Sequence, residues 1–78
     1  MAPRITPTIR AAALARVAAN EAPPWTGRRE RSTLDAADRS AWSTLTAAER
    51  DAVTAIVVQW MLDRTLGRPV TPVPEVTP

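Results

Sequence analysis

Cysteine, histidine, lysine, tyrosine and phenylalanine are all missing from these 78 residues, and glycine occurs only at Gly27 and Gly67. Without Cys there is no disulfide and no thiolate metal site; without His there is no imidazole ligand or imidazole base; without Lys there is no Schiff-base former. Two glycines forty residues apart cannot build a glycine-rich phosphate loop. Long apolar runs are missing too. The longest strongly apolar one, Ala55 to Val58, falls far short of the roughly 20 residues a spanning helix needs.

The chemistry left over is carboxylate and hydroxyl. Asp35 and Asp38 could share a divalent cation through oxygen ligands, but a helix start already accounts for both as a cap and a first-turn acid. Glu49 and Asp51 point about 160° apart on a helix and cannot flank one cleft. The chain therefore reads as a non-enzyme with no cofactor and no metal ligands.

Charge of one sign is also scarce. Lys and Arg together number 10 against 8 Asp and Glu, for a net +2, and every basic residue is Arg. So small an excess exerts little pull on nucleic acid or an anionic membrane. The abundance of Ala, Arg and Pro, all with GC-rich codons, points to a high-GC bacterium or its phage. Residues 1 to 20 hold three Arg and no acid, as an organellar presequence would, yet Arg10 and Arg16 diverge by about 120° and no apolar run follows. Arg16 likewise interrupts the Ala-rich stretch that a secretory signal would need. The chain reads as soluble and unexported, cytoplasmic or, if phage-encoded, packaged in a virion.

What is present is organised around one segment, Thr46 to Gly67. Thr46 and Glu49 have capping-box spacing; Glu49 and Asp51 sit at the positive end of the macrodipole and Arg64 and Arg68 at the negative end; Gly67 followed by Pro69 supplies a left-handed stop. A helix over 47 to 66 follows. At about 100° per residue, Val53, Ile56, Val57, Trp60 and Met61 share one arc, while Ala55, Val58, Leu62 and Leu66 share a second arc nearly opposite. A helix apolar on two sides must bury two sides, and a chain under roughly 80 residues has little left to cover the second.

Before this helix, Thr6 and Pro7 read as an N-cap and first helical residue of a helix over 7 to 20, with Ile9, Ala13 and Val17 on one face. Pro23, Pro24 and Gly27 then argue for a non-helical linker over 21 to 32, which also carries Trp25, Arg28, Arg29 and Arg31. Residues 33 to 42, TLDAADRSAW, repeat as TLTAAERDAV at residues 44 to 53, so a helix start recurs after eleven residues. The first copy predicts a short helix over 36 to 43, capped by Asp35, with Leu34, Ala41, Trp42 and Leu45 inward. Eleven residues is also close to three turns, which would suit a single continuous helix, but Ser43, Thr44 and Thr46 are better caps than helix interior. The tail, RPVTPVPEVTP, has too many prolines for helix or sheet and reads as extended; Pro69 and Pro72 have a PxxP spacing that a proline-reading groove could hold.

The expected object is a small all-α, three-helix domain: an arm and helix at 1 to 20, a Pro/Arg-rich linker at 21 to 32, a helical hairpin at 33 to 67 in which the shorter helices pack on the long C-terminal one, and an extended proline-rich tail at 68 to 78. Its expected function is that of a protein-interaction or assembly module, an accessory or structural subunit that binds a protein partner or forms a homodimer through Ala55, Val58, Leu62 and Leu66, with Trp25 as a further contact. The alternative is a small nucleic-acid-binding regulator. It would use a helix-turn-helix or the Trp25 linker, with Arg28, Arg29 and Arg31 pairing phosphates weakly and without sequence preference. The apolar middle of the long helix argues against a recognition helix, which offers polar and basic side chains to base edges.

Overall fold

The structure is a computed structural model that describes residues 4–78; the outer part of the expected N-terminal arm, residues 1 to 3, lies outside the described residues. It contains three helices and, among the described residues, no strand: α1 spans Pro7–Glu21, α2 spans Arg28–Ser43 and α3 spans Ala47–Thr65. No helix among the described residues is long and apolar enough to cross a membrane.

Helix boundaries set by local chemistry fall close to where the sequence puts them. Thr6 caps α1, its hydroxyl accepting from the Ile9 N–H at 3.2 Å, with Pro7 at the first helical position. Ala22 then adopts ψ 129°, the extended geometry forced on a residue that precedes proline, and α1 stops. Thr46 and Glu49 close a reciprocal capping box: the Glu49 N–H donates to Thr46 Oγ1 at 3.2 Å and the Thr46 N–H donates to Glu49 Oε1 at 2.8 Å. At the other end, Gly67 takes φ 70°. The Arg68 N–H reaches the Asp63 carbonyl at 2.9 Å, which is the long bond of a Schellman stop.

Helix α2 departs from expectation. It begins at Arg28, eight residues before the short helix the sequence suggests, and the non-helical connection shrinks to 22 to 27. Asp35 lies inside the helix instead of capping it. Arg28, Arg29, Glu30 and Arg31 are all good helix formers, and Gly27 starts the helix without any side-chain cap. Propensity and a tertiary contact of Arg31 together prevail over the cap at Asp35. The eleven-residue repeat is thus used twice in different ways, once within α2 and once as the true start of α3, with the break at Thr44 to Thr46.

The packing centre is also displaced. Helix α1 packs against both other helices, while α2 and α3 scarcely touch. The short helices do not both rest on α3; the Ala-rich α1 lies in the middle, where Ala12 and Ala13 are small enough to let neighbouring backbones approach. Ile9, Val17, Leu45, Val53, Val57 and Trp60 complete the core, with Trp42 and Val73 packed at its edge. Of the arc on α3 assigned to the core, Val53, Val57 and Trp60 are buried and Ile56 is partly so, but Met61 is 47% exposed and faces outward.

Residues 68 to 78 form no helix and run back along α1 and α3. Val70, Thr71, Pro72 and Val73 border a hollow with Leu14, Val17, Trp60 and Arg64. Further on, Glu75 lies 3.7 Å from Arg10, and Thr77 exchanges two 2.8 Å hydrogen bonds with the Ile5 backbone.

Candidate interaction surface

Two features of α3 define the surface, one by what is covered and one by what is left open. The covered side faces the tail. Asp63 is only 3% exposed, although it occupies the C-terminal turn of a helix, where the macrodipole disfavours an acid. Its carboxylate is satisfied from four directions: Oδ2 accepts from the Thr71 hydroxyl at 2.7 Å and the Thr71 N–H at 2.9 Å, while Oδ1 accepts from Gln59 Nε2 at 2.9 Å and lies 3.2 Å from the Arg68 guanidinium. Hydrogen bonds to an ionised carboxylate favour the charged form, so the two bonds from Thr71 hold Asp63 below its ordinary value, burial notwithstanding. The sequence alone places Asp63 on a polar seam. The available clue to its role is the acid itself, standing against the dipole two residues after Met61 and close to the stop at Gly67.

The open side is the second apolar arc. Val58 is 47% exposed, Leu62 46% and Leu66 62%, and Ala55 is exposed beside them. Met61 joins this stripe from the arc that was assigned to the core. The tail reaches only its edge: it borders Ala55, with Ile56 and Gln59, on the flank nearer Ile5 and leaves Val58, Leu62 and Leu66 clear. Thr54, Thr65 and Asp51 are the polar exposed residues closest to the stripe, and among the described residues Asp51 makes no ion pair.

Trp25 and the arginine cluster lie elsewhere, around the start of α2. Trp25 is 84% exposed in a turn closed by the Thr26 N–H donating to the Pro23 carbonyl at 3.0 Å. Arg28 and Arg29 are exposed in the first turn of α2. Arg31 is not available with them: its guanidinium donates to the Ala19 carbonyl at 2.8 Å and the Ala22 carbonyl at 3.2 Å, satisfying acceptors at the end of α1. The cluster that could meet phosphate is reduced to two arginines.

Two other arginines are tied to tryptophan. Arg16 stacks 4.0 Å from the centre of the Trp42 ring while its Nε donates to Asp38 at 2.9 Å, and Arg50 approaches the same ring from α3 at 5.3 Å. Asp38 is thereby engaged in an ion pair that joins α1 to α2. No family model matches the chain, and neither a curated protein nor a solved structure matches it.

Proposed function

We propose that this chain is a non-catalytic protein-interaction or assembly module whose binding face is the outer stripe of α3. The observation that carries this reading is the run of half-exposed Val58, Met61 and Leu62 with Leu66 on one face of a single helix. Burying a large aliphatic side chain fully is worth about 1.5 to 3 kcal/mol, so leaving each of these half in water forgoes about 1 kcal/mol apiece. Contiguous apolar area of this kind marks association sites on small proteins. A domain with no disulfide and no metal ligands of the soft or imidazole type has few other sources of stability, and partner binding adds to it by mass action.

The module binds protein in preference to nucleic acid because the residues that would pair phosphate are few and dispersed. Arg31, Arg16 and Arg50 are engaged within the fold and Arg68 is paired with Asp63; Arg28 and Arg29 stay exposed beside Trp25, Arg39 lies about three turns further along α2, and Arg4 and Arg64 are on other segments.

The test is Leu62→Arg, followed by light scattering and circular dichroism. An interface residue loses association while the monomer keeps its helix content. A chain that unfolds on this substitution needs Leu62 for its own core, and the proposed face is then wrong.

A further inference from the structure

Resting on that reading of the α3 stripe, we propose that its occupant is the same stripe of a second copy of this chain, antiparallel across a two-fold axis at the level of Gln59 to Met61. Three observations point to this occupant. The first is charge. Asp51 lies on the stripe at its N-terminal end without an ion-pair partner among the described residues, and Arg68, half exposed, follows its C-terminal end. An antiparallel two-fold brings Asp51 of each copy toward Arg68 of the other, whereas a parallel pair sets Asp51 against Asp51. Arg68 reaches Asp63 at 3.2 Å from the covered flank, but its guanidinium is half exposed and Asp63 keeps its bonds from Thr71 and Gln59, so Arg68 can turn outward to meet Asp51 of the second copy.

The second observation is size. In the register that sets Val58 against Leu62, Leu66 meets Thr54 and Ala55 meets Thr65, so large side chains face small ones toward the ends while the branched residues interdigitate near the axis. All of these positions are exposed, Ala55 at the edge that the tail borders. The third is the macrodipole: the antiparallel arrangement lays the positive end of one α3 beside the negative end of the other. One helix face is smaller than the roughly 800 Å² per partner of a standard stable interface, so the dimer is a weak one that dissociates on dilution.

The absence of cysteine makes the geometry directly testable. Along an antiparallel pair, position 55 of one copy lies about 15 Å from position 55 of the other, well beyond the roughly 7 Å limit on Cα separation for a disulfide, but close to position 65. Ala55→Cys and Thr65→Cys are made as separate variants. Mild oxidation of a mixture yields the 55–65 linked heterodimer, while each variant alone cross-links poorly. Efficient cross-linking of each variant with itself, and not with the other, shows a parallel pair and overturns the proposal.

Sedimentation equilibrium of the wild type supplies the second measurement. Asp51→Arg weakens the dimer by about tenfold, because each of two equivalent contacts becomes repulsive, and Asp51→Asn weakens it less; unchanged affinity in both variants overturns the pairing of Asp51 with Arg68. A wild type that stays monomeric at about 1 mM overturns self-pairing. If Leu62→Arg is then still folded, the stripe remains open to a different protein; if it unfolds, the interface reading fails as well.

Discussion

Thr71 gives both of its hydrogen-bond donors to one oxygen of Asp63, the hydroxyl at 2.7 Å and the backbone N–H at 2.9 Å. The relationship joins a helix end to a segment with no regular structure of its own. A proline-rich stretch saves little by ordering itself; here its position is fixed by an acid that the helix presents and by Val73 packed on the core.

Thr71→Val removes the shorter of the two bonds and keeps the shape. It lowers the melting temperature, and amide exchange in residues 70 to 77 speeds up more than in α1 or α3. Equal acceleration throughout all three regions would mean that the tail is not a separately opening unit.

The same carboxylate sets an acid limit. The folded-state pKa of Asp63 is depressed below its ordinary value of 3.8, first by the Thr71 hydroxyl and then by the Thr71 N–H. Its contribution to stability is therefore complete above the unfolded-state pKa, near pH 4, and is lost as pH falls through the lower folded-state value. Denaturant unfolding between pH 7 and pH 2 should show a decline at the acid end that is smaller in Asp63→Asn, a variant less stable than wild type at pH 7.

The arginines around the start of α2 have opposite expected effects. Arg31→Ala strips two charge-assisted bonds from the end of α1 and costs about 1.5 to 3 kcal/mol. Arg28→Glu replaces a cation with an anion at the positive end of α2 and stabilises by about 0.3 to 1 kcal/mol. Chemical denaturation of the two variants separates these signs.

The two glycines make a similar contrast. A Cβ at either one meets open space, so only the backbone decides. Gly67→Ala forces φ 70° on an L side chain and costs about 1 to 2 kcal/mol. Gly27 has φ −58° and ψ 148°, which alanine adopts without strain, but Gly27 is the N-cap of α2, where alanine is a poorer residue than glycine, so the gain from a stiffer unfolded chain is offset and Gly27→Ala stays within about 0.5 kcal/mol of wild type. Thermal melts separate the two, Gly67→Ala well below wild type and Gly27→Ala close to it.

The sequence revealed what local chemistry determines. Thr6 with Pro7, Thr46 with Glu49, and Gly67 each carry their instruction within a few residues, and the helix ends they mark are close to those observed. The start of α2 was harder to read because Pro24 and Gly27 suggested a long linker, while the Arg31 contact that favours the helix reaches back across twelve residues to Ala19. The angle of Met61 around the helix axis, taken alone, points it at the core. Which flank of α3 is covered depends on where α1 and the tail lie, and no periodicity within α3 contains that information. Asp63 illustrates the same limit, since its role depends on Thr71 returning to it after the chain has turned at Gly67.

The pair of bonds between Ile5 and Thr77 spans 72 positions of sequence. Closing so wide a loop from an unfolded chain carries an entropic cost that two hydrogen bonds cannot offset, so the ends meet only after the helices have already brought them near. Assembly consequently has an order. The helices form and dock first, the segment after Gly67 settles last, and in unfolding it is the first to leave, uncovering Val17 and Trp60 while the helices still hold.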